Sequence, residues 1–333
     1  MMRDFRAVCL GGGCGASQVM RGLKGYTRHI TGIIAVTDSG RSTGKIRVAV
    51  GVPAPGDIRN ALVTLSDGDG LLKELFQHRF VTEKSADLNG MAFGNLLIAA
   101  LAQMTGSFER AVKECERLLQ VSGRILPVTL YNTHLCAELV DGTVVEEEVN
   151  VRALGKPPIK TVFLKDDPIE TSGECVAALM QADLITIGPG SLYTTVIACL
   201  LVQGIARAIR ESPATCVYVA NTTTQPGQTD GLSLSDHVSE VMRYLGGDGL
   251  DFVLVNQSQV PEDLLARYRQ DGVSPLEVNQ PEVERIEALG PRVVVGDLVE
   301  RAEKRELWQK QDSLRHSPER VAQTLVALIE GRA

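Results

Sequence analysis

The sequence predicts a three-layer α/β sandwich with a mostly parallel sheet, carrying a helical insertion and a β-hairpin. Three observations predict it. The short apolar run FRAVCL ends in the glycine turn GGGCGAS, passes into helically spaced QVMRGLK and returns as the apolar run ITGIIAV, a parallel βαβ unit. The same alternation resumes from Ala182. Each strand run opens at its C-terminal end into a polar loop bearing Gly or Asn, and in open parallel sheets that edge is where ligands bind.

The elements follow in order. After ITGIIAV comes the polar stretch TDSGRSTGKIR, read as a loop, and then four helical stretches: DIRNALVTLSDG, LLKELFQHRF, FGNLLIAALAQM and SFERAVKECERLLQ. RILPVTL is a further strand. CAELVDGTVVEEEV reads as a hairpin because Asp141 and Gly142 separate two alternating runs and suit a two-residue turn. DLITIGPGS is a strand with its turn, LYTTVIACLLV a helix, CVYVANTTTQPGQT a strand with its loop, LSDHVSEVMRYL a helix and DFVLVNQSQ a strand. PRVVVGDL adds a last strand. SPERVAQTLVALIEG closes with a helix, Ser317 as its cap and Pro318 in its first turn.

A chain of 333 residues with 44% hydrophobic and 23% charged residues can bury a large core. The formal charge is -7 with no run of one sign, which argues against nucleic acid as a partner. No uninterrupted run of about 18 apolar residues occurs, so no membrane span is expected, and the N-terminal apolar run is too short for a signal peptide. The seven cysteines form no CxxC pair and most sit in apolar segments, the pattern of buried thiols in a reducing cytoplasm. Cys14 lies in the glycine turn. With no histidine nearby in sequence, it reads as a small packing residue rather than a nucleophile. The five histidines have no metal-ligand spacing, and Asp166 and Asp167 before Pro168 read as an exposed turn.

TDSGRSTGKIR has some of the residues of an ATP-binding loop but not its spacing. Only three residues separate Gly40 from Gly44, where four are needed, and Ile46 stands where a magnesium-binding hydroxyl belongs. GGGCGA is the better phosphate signal: Gly11, Gly12, Gly13 and Gly15 let backbone amides approach an anion, and the helix that follows contributes a partial positive charge. Asp38, at the end of the second strand, stands where a ribose-binding carboxylate would, so the fingerprint alone also fits an NAD(P) protein. Gly188, Gly190 and Ser191 of GPGSLYT repeat the arrangement, with Ser191 able to cap its helix. Asp38 and Asp57 would suit magnesium beside a diphosphate, while Asp57 would equally suit a cap for DIRNALVTL.

Taken together, GGGCGASQVMRGLK, AVTDSGRSTGKIR, APGDIRNALVTLSD, FGNLLIAALAQ, GRILPVT, ADLITIGPGSLYTTVIACLLVQGIARAI, NTTTQPGQTDG and RHSPERVA resemble the YvcK-like gluconeogenesis factors of bacteria, of the UPF0052 type. Those belong to the CofD-like superfamily, which includes 2-phospho-L-lactate transferase. The resemblance implies one Rossmann-like α/β/α domain over residues 1–333, its core formed by about 5–130 and 180–330 and its insertion by about 131–170. It further implies a cytoplasmic homo-oligomer, a dimer, that binds a UDP-sugar such as UDP-N-acetylglucosamine and acts in gluconeogenic growth and cell shape through a regulatory protein partner. The alternative is a magnesium-dependent phospholactyl transferase with a nucleotide-diphosphate donor.

The family loop GGGTGLS maps onto Gly11 to Ser17, with Cys14 for Thr and Ala16 for Leu, and ADDGGSSG maps onto Thr37 to Gly44, with Ser39 for the second Asp and Arg41 for a Gly. GHSFGN becomes GMAFGN at Met91 and Ala92, and RHDP becomes RHSP at Arg315 and His316. Carried over on these motifs, the ligand-binding positions add Ser17, Arg41, Ser42, Asn60, Asn95, Tyr193, Asn221 and Arg315, with magnesium at Asp38 and Asp57 alongside the nucleotide. Loss of a carboxylate and a histidine from polar loops favours binding over catalysis.

Overall fold

The protein is described by a computed structural model covering residues 4–166, 168–258, 265, 266, 268, 270–300 and 314–331. Its centre is β1 (Arg6–Gly11), where Ala7 to Gly11 are all buried, as expected of a strand covered by helices on both faces. β1 pairs in parallel with β2 (His29–Ile34) on one side and with β7 (Leu184–Ile187) on the other. The full sheet has seven parallel strands in the order β10-β9-β8-β7-β1-β2-β3, with β3 Arg124–Pro127, β8 Thr215–Val219, β9 Phe252–Asn256 and β10 Arg292–Gly296. The chain winds outward from β1 to β3, then returns beside β1 and winds the opposite way. A crevice must open where the winding reverses, beyond the C-terminal ends of β1 and β7. In register, Leu10 pairs with Ile187 and Gly11 with Ile34, so the three strands end level with one another.

The helices that cover the first half are α1 (Gly13–Leu23), α2 (Arg41–Val50), α3 (Gly56–Leu65), α4 (Gly70–Gln77), α5 (Phe93–Thr105) and α6 (Phe108–Leu119). α2 corrects the reading of TDSGRSTGKIR as a loop. Gly40 in extended backbone starts the helix and Gly51, at φ 74, ends it. Local composition concealed this because Ser42, Thr43 and Gly44 are poor helix formers, while packing supplies what propensity lacks. Gly44 allows the turn to close: a Cβ there would lie 2.0 Å from the Ser39 carbonyl oxygen.

The expected hairpin is part of a three-stranded antiparallel sheet, with β4 (Leu135–Leu139) between β5 (Val144–Glu146) and β6 (Ile159–Leu164). Its turn has three residues rather than two. The Leu139 amide donates to Thr143 O, the Gly142 amide to Leu139 O, and Gly142 takes φ 85, the left-handed position such a turn needs. A short helix α7 (Glu148–Val151) follows β5. Arg47 of α2, almost fully buried, ties this sheet to the core, since its guanidinium donates to Thr37 O, Asn132 Oδ1 and Thr133 O.

In the second half, α8 (Gly173–Met180) precedes β7 and LYTTVIACLLV is not a plain α-helix. It opens as a π-helical segment, Leu192–Ile197, and passes into α9 (Ala198–Leu200). α10 (Ile205–Glu211), α11 (Leu234–Leu245) and the helices Gln280–Ala288 and Pro318–Ile329 complete the outer layers. Ser317 caps the last helix through the Arg320 amide. Among the described residues, no helix is long and apolar enough to cross a membrane.

Candidate functional site at the sheet switch point

The two glycine turns meet where the winding reverses. Gly11 and Gly13 take φ 150 and 59, which a side chain would resist. The Gly188 amide donates to Leu10 O, and Gly15 packs on the Pro189 carbonyl with no space for a methyl group. A third loop latches onto the second: Asn221 Oδ1 accepts the Gly190 amide at 3.2 Å, Gln228 Oε1 accepts the Ser191 hydroxyl at 2.7 Å and Gln225 Oε1 accepts the Leu192 amide at 3.4 Å. Ser191 therefore does not cap its helix; its hydroxyl is directed to the neighbouring loop.

Helix ends distinguish this edge from the rest of the molecule. Among described helices of eight or more residues, Asp69, Ser107, Ser172, Ser233, Asn279 and Ser317 cap six N-termini with a side chain. The four without one are α1, α2, α3 and α5. Those four ends converge. A Cβ on Gly12 would lie 2.4 Å from Asp57 Oδ2, and one on Gly56 would lie 2.4 Å from Thr43 Oγ1 and 3.4 Å from Asp38 Oδ2. At the start of α5, Asn95 donates to Ser42 Oγ at 3.2 Å and to Thr43 Oγ1 at 3.4 Å. Uncapped N-termini present amide donors and positive dipole ends, so their convergence offers surroundings that favour an anion.

Arg59 sharpens that conclusion. It is 3% exposed, and its Nε and Nη1 have no hydrogen-bond partner among the described residues, while Nη2 donates to Asn60 Oδ1 at 3.0 Å. Burial brings its pKa down to about 10, Arg79 nearby adds to the lowering, and Asp57, Cys14 and Asp38 oppose it. A buried guanidinium with unused donors is costly unless an anion completes it. Arg79 stands beside it and donates to Ser42 Oγ at 3.3 Å and Gly90 O at 2.9 Å.

Of the residues read from sequence, Gly11, Gly12, Gly13, Gly15, Gly188, Gly190, Ser191 and Asn221 line the crevice between the glycine turns, and Asp38, Ser42, Asn60 and Asn95 join Asp57 around the four helix ends. Asp57 does not cap α3, since it lies inside the first turn with its carboxylate against Gly12. Asp38 accepts the Gly40 amide at 2.8 Å. Two positions are placed elsewhere. Tyr193 is buried in a segment that packs against α11, and its phenol is pushed up chiefly by burial, with Glu240 adding to the rise. Ser17 is buried, with its hydroxyl returned to Gly13 O at 3.1 Å. Arg315 follows Leu314, whose carbonyl accepts the Thr222 hydroxyl at 2.9 Å, so it adjoins the third loop. The side chain of Arg41, and Asp167, lie outside the described residues. Cys14 is exposed, which corrects its reading as a packing residue.

Sequence reasoning passed over Arg59, although it singled out Asp57 and Asn60 in the same PGDIRN stretch. The available signal was a cation three residues before Leu62, on a helix face that is otherwise apolar. Asp38 and Asp57 suit magnesium of the kind bound by one or two carboxylates plus phosphate oxygens, and no group of three or more acidic, His or Cys ligands occurs among the described residues.

A family model described as 2-phospho-L-lactate transferase CofD matches residues 7–299. The chain belongs to the CofD family. Within it, this chain is similar to the gluconeogenesis factor of Halalkalibacterium halodurans, 38% identical over 99% of this chain and 98% of that one. It is equally similar to the gluconeogenesis factor of Bacillus subtilis, 38% identical over 96% of each chain. A crystal structure of a UPF0052 family member from Bacillus halodurans superposes with a TM-score of 0.89 at 38% identity, covering 98% of this chain and all of the other. The Rossmann-like α/β fold is thus shared with that solved UPF0052 relative over nearly the whole chain.

Proposed function

We propose that the protein is a cytoplasmic regulatory factor that binds a UDP-sugar, such as UDP-N-acetylglucosamine, at the switch-point crevice, and that it works as a homo-oligomer through a protein partner in gluconeogenic growth and cell shape. The observation that carries the binding half of this reading is the meeting of four uncapped helix N-termini around Arg59, whose buried guanidinium retains unused donors. A diphosphate supplies the acceptors that both lack. The glycine turns admit the diphosphate close to the backbone, and Asp38 and Asp57 would hold magnesium against it, where the ion would neutralise phosphate charge. The link to gluconeogenic growth rests on the relatives named gluconeogenesis factor.

Binding is favoured over turnover by what stands at the start of α5. Met91 and Ala92, both buried and apolar, occupy positions where the resembling motif carries His and Ser. Ser39, in place of a second Asp, accepts the Val149 amide at 3.2 Å and holds α7. Titration calorimetry with UDP-N-acetylglucosamine, GDP and NAD tests the reading: uridine-nucleotide binding is expected to be tightest, and its absence would sink the idea.

The second reading is a phospholactyl transferase, favoured by Asp38 and Asp57 sharing one chamber with the glycine turn in a chain that matches the transferase family model. It requires magnesium-dependent transfer to a deazaflavin acceptor, which an acceptor assay with a guanosine-diphosphate donor measures directly.

A further inference from the structure

Two buried polar side chains at the heads of α3 and α5 have atoms left over. Asn95, in the first turn of α5, is 0% exposed; its amide donates to Ser42 Oγ and Thr43 Oγ1, while its Oδ1 has no partner among the described residues. Arg59 reaches the same turn. A Cβ on the adjacent Gly94 would lie 2.8 Å from Arg59 Cδ, and Nε and Nη1 of this guanidinium are likewise without partners among the described residues. Buried Ser42 links the two sides, because its oxygen accepts from Asn95 at 3.2 Å and from Arg79 at 3.3 Å. Two incoming donors use the lone pairs of that hydroxyl and leave its own O–H to give.

The heads of α2, α3 and α5 thus bring together donors without acceptors and one acceptor without a donor. A bare anion answers the donors and strands Asn95 Oδ1, which is costly for a buried acceptor; an anion with a hydroxyl of its own answers both. Charge points the same way. Asp57 and Arg59 stand two residues apart on α3 and so face apart, Asp57 against Gly12 and Arg59 against Gly94. Asp57 and Asp38 are still within electrostatic reach of Arg59, which favours an anion of lower charge, with an oxygen protonated.

We propose that Arg59 and Asn95 form a paired subsite that selects a phosphate carrying its own hydroxyl, so that inorganic phosphate binds there in preference to sulfate. Near neutral pH every phosphate ion keeps a proton and sulfate keeps none. Phosphate oxygens accept from Arg59 Nε and Nη1 and from the Ser42 hydroxyl, and the phosphate O–H donates to Asn95 Oδ1. Free phosphate needs no nucleotide. The extension to a UDP-sugar rests on the nucleotide reading above, in which the hydroxyl comes from the sugar next to the diphosphate.

Calorimetry at pH 7 on the full chain, in a buffer free of both ions, measures the two probes. Inorganic phosphate binds at least about tenfold more tightly than sulfate, the size of a buried acceptor left without its donor. Asn95→Leu brings that ratio towards unity by weakening phosphate and not sulfate, and Arg59→Met weakens both. The ratio in the parent decides even where Asn95→Leu lacks the native circular dichroism. Phosphate that fails to bind, sulfate that binds as tightly, or phosphate binding untouched by Arg59→Met overturns the proposal. UDP-N-acetylglucosamine titrated into the phosphate-loaded protein then separates the two readings: it displaces phosphate if its diphosphate meets Arg59. Nucleotide that binds while phosphate stays bound, or that does not bind at all, overturns the nucleotide reading at Arg59 and leaves the phosphate subsite standing.

Discussion

Gly15 and the Pro189 carbonyl fit against each other so closely that a Cβ on Gly15 would lie 2.0 Å from the oxygen. Two glycines of one turn therefore have different duties. Gly15→Ala must push apart the turns that end β1 and β7, and a loss of about 2–4 kcal/mol in urea unfolding is expected. Gly12 has extended backbone that any residue can adopt, and the nearest atom to a new Cβ is the terminal Asp57 Oδ2, at 2.4 Å. Gly12→Ala should unfold within about 1 kcal/mol of the parent, yet bind nucleotide and magnesium more weakly, because Asp57 has to move. Equal losses of stability in the two variants would refute this division.

Arg59 separates binding from stability in the other direction. Its burial without full partnering costs the folded state, so replacing it by Met relieves that cost while removing the anion contact. Arg59→Met should leave the urea midpoint unchanged or raised and weaken nucleotide binding by about 2–3 kcal/mol. Calorimetry beside urea unfolding decides it, and a destabilised variant with normal affinity would contradict the assignment.

His316 makes the fold sensitive to acid. The imidazole is buried, its Nε2 has no partner among the described residues, and burial lowers its pKa from 6.5 to about 4. The unfolded chain takes up this proton near pH 6.5 and the folded chain only near 4, so the stability of the neutral form is complete above 6.5 and is lost as pH falls between those values. The loss amounts to about 3 kcal/mol. Urea unfolding from pH 7.5 to 4.5 should show a steeper decline in the parent than in His316→Gln.

Arg47 predicts a regional effect. Burial lowers its pKa, against the pull of Glu147 and Asp38, and its donors serve two backbone carbonyls and Asn132. Arg47→Met strands those acceptors and should cost about 2–4 kcal/mol. Hydrogen exchange should rise first in β4, β5 and β6, whose attachment is lost, and later in the parallel sheet. Uniform acceleration would show that the small sheet is not held in this way.

Much of the fold was readable in the chain because its signals are local. An apolar run, a glycine turn and a helical period stand in fixed order in FRAVCLGGGCGASQVMRGLK, and each reports its own backbone. The same holds for Ser317 and Pro318 at the last helix. What stayed hidden depended on partners far away in sequence. TDSGRSTGKIR is helical from Arg41 because Arg47 finds acceptors at Asn132 and Thr133, and the expected hairpin gains a third strand because β6 pairs with β4. Tyr193 reads as a ligand contact yet is buried against α11, and Arg59, which the sequence does not single out, is buried with its side chain under Gly94. By itself, the sequence determined which segments turn, pair and coil, since steric and hydrophobic rules act within a few residues. Only the tertiary structure decided which helix ends meet without caps, which cation is buried among them and which thiol is left outside. Those properties belong to packing between segments, where burial and charge are set by neighbours that the local chain does not contain.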